Sequence, residues 1–167
     1  MLAVARRPIT ADETSADVER DLARIGASLL VATVDQMVAG RATETPQEDG
    51  LATYAPRLTK EDGVMDWHAP AERLHDQIRG LHPWPHAFTM LSGRRFILLR
   101  SNPAAATSAS ADTPGTIVEA AGDRLVVAAG SGRLELLQLQ AEGKRPMTTR
   151  EFLAGYRLSP GDRFGPS

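Results

Sequence analysis

Apolar residues recur at three- and four-residue intervals from Val18 to Met37. Val18, Leu22, Ile25, Leu29 and Met37, with Leu30 and Val34 beside them, form one stripe of a helix that the spacing predicts over 15–39. Thr14 followed by Asp17 is a carboxylate form of the capping box, and Gly40 stands where a left-handed C-terminal cap is wanted. Gly26 interrupts the helix at a cost of ~0.5–1 kcal/mol relative to alanine, which predicts close packing at that point. The stripe needs a covering surface. The preceding segment Val4 to Ile9 is a candidate strand but too brief to supply one, so either the following domain or protein outside these residues must.

Arg41 to Gly50 is polar and reads as a linker, and Pro56 keeps Leu51 to Lys60 extended. Pro70 to Leu81 is a second helix, with Leu74, Ile78 and Leu81 inward and Arg73, His75, Asp76 and Arg79 projecting elsewhere. The pattern then shortens. Phe88–Leu91 and Arg95–Leu99 flank a Ser92-Gly93 turn, and Thr116–Ala120, Arg124–Ala129 and Arg133–Leu139 follow as three more strands. Asn102 to Pro114 is rich in Ala, Ser and Thr and is expected to be a mobile loop. Thr148 caps a short last helix that runs to Gly155 with Phe152 and Leu153 inward. The expected fold is α+β, mainly β: a small OB-like Greek-key β-barrel with peripheral helices, preceded by a long helix and a linker.

Composition narrows the chemistry. The 167 residues are 42% hydrophobic and contain no cysteine, which excludes disulfides, thiolate metal sites and cysteine nucleophiles. No apolar run approaches the ~20 residues of a membrane span, and Arg6 and Arg7 end the apolar start too early for a signal peptide. A cytoplasmic protein is expected. Residues 1–50 carry nine acidic and five basic side chains, whereas 51–167 carry twelve and fourteen. That mild balance does not by itself announce a nucleic-acid partner.

The side chains that tempt a catalytic reading do not assemble one. His75, His82 and His86 have poor ligand spacing, and Pro83 and Pro85 break any helix that would align the last two, so no metal is expected. Ser131 lies in a Gly-Ser-Gly turn between strands with no base placed beside it, and Gly130 to Gly132 lacks the lysine and helix of a phosphate loop. Trp67, Trp84 and Tyr54 have faces on which unpaired bases stack, but core packing is the expected role, with Trp84 between two prolines as a rigid packed corner.

Four runs carry a resemblance: ITADETSADVERDLARIGASLL (Ile9–Leu30), ATYAPRLTKEDGVMDW (Ala52–Trp67), IRGLHPWPHA (Ile78–Ala87) and LQLQAEGKRPM (Leu137–Met147). In this order they resemble the C-terminal part of the methionyl-tRNA formyltransferase family, from about Ile9 to Phe164. The resemblance implies three regions: 1–40 as a strand-plus-helix remnant of the Rossmann-type formyltransferase domain, 41–60 as linker, and 61–167 as an OB-like tRNA-binding domain. It implies transfer of a formyl group from 10-formyltetrahydrofolate to initiator methionyl-tRNA by the whole family enzyme. The family's Asn, His and Asp catalytic set has no counterpart here, so no catalytic residue is assigned, no cofactor is expected to be bound by this chain, and the chain alone is expected to be inactive. The residues expected at tRNA are Arg57, Lys60, Arg79, Lys144 and Arg145, with Arg94, Arg95 and Arg100 as possible additions to the same basic surface. Two alternatives stay open at this point: a stand-alone RNA-binding or interaction module, and the C-terminal part of a sugar-nucleotide formyltransferase. Exposed, the stripe of the first helix invites self-association.

Overall fold

The computed structural model describes residues 1–104 and 112–165. It divides into two units, Met1–Arg57 and Leu58–Ser167. In the first, helix α1 spans Ser15–Val38, and Thr14 and Asp17 form the expected reciprocal capping box. Gly40 follows with φ of +66°, in the left-handed region that glycine enters without a Cβ penalty. Val4 to Ile9 is not a strand. Arg7 instead ties this segment to Glu13, just before α1, and to Asp21 on α1 at 2.7 Å, so ion pairs do the work that sheet pairing was expected to do. No residue of α1 is buried, and Leu22, Leu30, Val31, Val34 and Met37 are all exposed. The close packing expected at Gly26 is also absent, because a Cβ built there meets nothing within 4 Å.

In the second unit, helix α2 (Ala71–Gly80) precedes strands β1 (Ala87–Leu91), β2 (Arg94–Ala104), β3 (Ile117–Ala121), β4 (Arg124–Ala128), β5 (Arg133–Ala141) and β6 (Met147–Thr148), and helix α3 (Thr149–Gly155) follows. The strands make one antiparallel sheet in the order β1-β2-β5-β4-β3, with β6 added to β5. Strand β2 continues through Asn102 to Ala104, where a loop was expected, because these residues pair with Leu134, Arg133 and Glu135 of β5. The rest of that loop, 105–111, lies outside the described residues. Ser92 and Gly93 both take positive φ, +48° and +73°, as a two-residue hairpin turn with matching twist requires.

The core lies between the sheet and the helices. Leu98, Ile117, Leu125, Val127, Leu134, Leu136 and Leu139 project from the sheet, while α2 contributes Ala71, Leu74 and Ile78. His75, expected to project outward, is buried with its Nδ1 3.1 Å from the buried Ser101 Oγ; a polar partner on β2 makes that burial affordable. Phe96 meets Phe152 and Tyr156 edge-on, and these two stack at 4.5 Å. Trp67 is buried, donates to Thr89 Oγ1 at 2.9 Å and stacks on Phe164. Phe164 arrives on a C-terminal segment that bonds both ends of the strand order: Ile117 N donates to Asp162 O at 2.7 Å, Phe164 N to Gly115 O at 2.8 Å and Gly165 N to Met90 O at 3.0 Å.

Two glycine replacements separate packing from propensity. A Cβ at Gly130 would sit 1.7 Å from the His68 carbonyl oxygen, so Gly130→Ala is expected to lower unfolding stability by about 1–3 kcal/mol in denaturant titrations. Gly26→Ala is expected to raise far-ultraviolet helicity, gaining about 0.5–1 kcal/mol of local helix stability. Loss of helicity in Gly26→Ala would mean that something does pack there.

Candidate nucleic-acid interface

Antiparallel register gathers charge at one end of the sheet. Leu91 pairs with Arg94 beside the β1–β2 turn, Phe96 pairs with Ala141 at the end of β5, and Leu139 pairs with Met147 of β6. The β1–β2 turn and the β5–β6 connection therefore share this end, and the connection carries Lys144 and Arg145. Lys144 N bonds to Ala141 O at 3.0 Å, and Gln140 Nε2 donates to Lys144 O at 2.7 Å, so the backbone of the connection is pinned. A cleft of about 310 Å³ opens beside it, lined by Leu91, Arg94, Phe96, Tyr156, Arg157 and Leu158 among others. Among the described residues, Lys144, Arg94 and Arg157 make no ion pair.

Arg145 is engaged. Its Nη2 donates to Glu151 Oε1 at 2.8 Å, while the other Glu151 oxygen accepts from Thr148 N and Oγ1 in the α3 capping box. Both groups respond. The Glu151 carboxyl is pulled down to about 2, first by the Arg145 hydrogen bond and then by the Thr148 amide and hydroxyl, and Arg145 is raised in return.

The other expected contacts lie elsewhere. Arg79 sits in the last turn of α2 and pairs with Asp76 at 2.7 Å. Lys60 is exposed at the start of a single 3-10 turn, Glu61–Gly63, and Arg57 is exposed at the end of the first unit. Arg100 is exposed on β2, whereas the Arg95 guanidinium lies over the Phe88 ring, 3.8 Å from its centroid. Of the five predicted residues, the structure thus brings together Lys144 and Arg145. Arg157 was missed; in sequence it is one arginine among many after a short helix, with no motif to mark it. Among the described residues no group of three or more His, Asp or Glu is arranged to hold a metal ion, and no helix is long and apolar enough to cross a membrane.

Two aromatic residues depart from expectation. Tyr54 is exposed, because its extended segment has no packed element over it. Trp84 is 53% exposed rather than a packed corner: within the turn Pro83 is exposed too, and it is Pro85 that is buried. The turn closes through His86 N, which donates to Leu81 O at 2.9 Å. The His82 and His86 rings lie 5.3 Å apart, and burial, then His82 and Arg95, lower the His86 pKa, favouring its neutral ring.

Comparison with known proteins gives the class of this sheet domain. A family model described as "Formyl transferase, C-terminal domain" matches residues 57–157. The chain is 42% identical over 159 residues to methionyl-tRNA formyltransferase of Moorella thermoacetica, covering 95% of this chain and 50% of the relative. Against the Heliobacterium modesticaldum enzyme it is 41% identical over 160 residues, covering 92% and 51%. The chain belongs to the methionyl-tRNA formyltransferase family and corresponds to its C-terminal portion. It spans about half the length of the curated relatives it matches. The fold is also similar to part of HypX from Aquifex aeolicus in complex with tetrahydrofolic acid, with a TM-score of 0.63 at 13% identity, covering 88% of this chain and 26% of that one.

The Glu151 carboxylate is the stable form in the fold, so its contribution to stability is complete above the ordinary value of 4.5 and fades as pH falls toward about 2. Arg145→Gln is expected to move its NMR titration midpoint upward, leaving it still below 4.5 because the Thr148 contacts persist. An unmoved midpoint would refute the pairing.

Proposed function

We propose that this chain is the tRNA-holding portion of a methionyl-tRNA formyltransferase, and that formyl transfer from 10-formyltetrahydrofolate to initiator methionyl-tRNA is carried by protein outside these residues. On this reading 1–40 belongs with the formyltransferase domain, 41–60 is linker and 61–167 is the tRNA-binding domain. The observation that carries it is the cationic sheet end, where Lys144, Arg94 and Arg157 stand without acidic partners among the described residues. Phosphates need only clustered cations, which fix position without reading sequence. Arg57, Lys60 and Arg79 extend the same electrostatic role.

We read the second unit as an OB-like Greek-key barrel. Support comes from β2, which reaches β3 by a long connection yet lies beside β5, the last strand of the β3-β4-β5 meander. The C-terminal segment, bonded to β3 at one end of the order and β1 at the other, supports closure. The exposed stripe of α1 fits a surface that the remaining half of a relative-sized protein covers. In its absence the stripe is the expected seam of self-association, which sedimentation would detect and a charged replacement of Val34 would relieve.

The purified chain is expected to retain initiator tRNA at low salt and to release it as salt rises. Lys144→Ala should make the log–log salt slope shallower by about 0.7–0.9, and Arg145→Ala, whose guanidinium is paired with Glu151, by less. It is also expected to show no formylation turnover. Absence of tRNA retention in dilute buffer would sink the proposal, and measurable turnover would place the chemistry within these residues. Glu151→Gln preserves a capping residue while releasing Arg145, so it should tighten tRNA by up to about fivefold.

A further inference from the structure

We propose that Trp84 is a stacking platform for an unpaired base of bound RNA. The proposal rests on the RNA-holding role argued above and names a contact of a different kind from its phosphate clamps. The chain has two tryptophans, and their environments are opposite. Trp67 is 3% exposed, with its N–H bonded and its ring stacked. Trp84 is 53% exposed and makes no hydrogen bond or ring contact among the described residues. An indole left half in water forfeits hydrophobic stabilisation that a core position would have given it.

The turn presents this ring on a stiff backbone. Pro83 and Pro85 fix φ on both sides of Trp84, and the His86-to-Leu81 hydrogen bond closes the loop behind it. His86 holds φ of +68°, a conformation that L-residues seldom adopt, so the surrounding packing dictates the path of the chain here. A ring held on such a turn loses little conformational freedom when a partner stacks on it.

The surroundings favour a nucleic acid over an apolar protein partner. His82 and His86 lie next to each other in the same turn, and Arg95 spreads its guanidinium over Phe88 on the adjoining hairpin. Aromatic faces interleaved with a planar cation are what unpaired bases and their phosphates require.

Tryptophan emission tests this directly on the full chain. Initiator tRNA and a single-stranded uridine hexanucleotide are each titrated while the emission of the exposed, red-shifted tryptophan is followed, and tRNA retention is measured in parallel. Both ligands are expected to quench that component. Trp84→Ala should abolish the quench and weaken tRNA binding by roughly fivefold to 150-fold, while Trp84→Phe, which keeps an aromatic face, should restore much of the affinity. If tRNA is retained but emission and the Trp84→Ala affinity are unchanged, stacking is overturned while the tRNA-holding role stands. If tRNA is not retained but the hexanucleotide still quenches Trp84, that role fails and the base platform survives. Quenching by neither ligand overturns the platform outright. Should Trp84→Ala fail to fold by circular dichroism, the wild-type quench and the Trp84→Phe affinity decide.

Discussion

Strand β5 is paired along both edges, and the second unit is organised by that constraint. One edge takes β2 from Arg133 to Ala141, while the other is divided between β4 near its start and β6 near its end. Leu134 and Leu136 share the buried face by strand alternation, and the register shift opposite Arg100 brings Leu139 to the same face; a one-residue slip would turn these leucines outward. The same strand receives α3: Thr149 Oγ1 donates to the Leu136 carbonyl, and Phe152 then reaches Phe96 across β2. The connection carrying Lys144 and Arg145 leaves from the end of this strand, so its position is inherited from the best-anchored part of the fold.

Charge state follows from who is paired, more than from how many cations there are. Arg124, Arg133, Arg145 and Arg150 each hold an acidic partner on a neighbouring strand, loop or helix. The exposed pairs among them, those of Arg124, Arg145 and Arg150, contribute little to stability, because solvent and salt screen them. They do, however, cancel the field that an RNA backbone would feel. Arg94, Arg157 and Lys144 are among the cations without such a partner, and they lie toward one end of the sheet. A formal net charge of −2 for the whole chain is thus compatible with a local cationic face.

The features legible in the sequence are those decided within a few residues. The capping box at Thr14, the cap at Thr148 and the Ser92-Gly93 turn all rest on local spacing, and each is present. Features decided by distant partners were not legible. His75 is inside because Ser101, far along the chain, meets it there, and β6 is two residues that exist only by pairing with β5. Arg7 holds Val4 to Ile9 against a helix through carboxylates, a role that apolar alternation does not encode. At the candidate site, Lys144 and Arg145 stood out through the motif around them, while the cleft formed by Arg94 and Arg157 depends on β2 and the segment after α3 meeting.

The β1–β2 hairpin relates the two halves of the proposed RNA surface. Ala87 begins immediately after the Trp84 turn, and Leu91 ends at the turn beside Arg94 and the cationic cleft. Five strand residues at about 3.3 Å each separate the aromatic apex from the charged end by ~15 Å. That separation is set by antiparallel register with β2 and does not depend on flexible side chains. Arg95, stacked on Phe88 midway along the hairpin, keeps positive charge between the two ends. On the proposed reading, the partner that touches both is an extended polyanion with at least one base free to leave its stack, a narrower requirement than either end imposes alone.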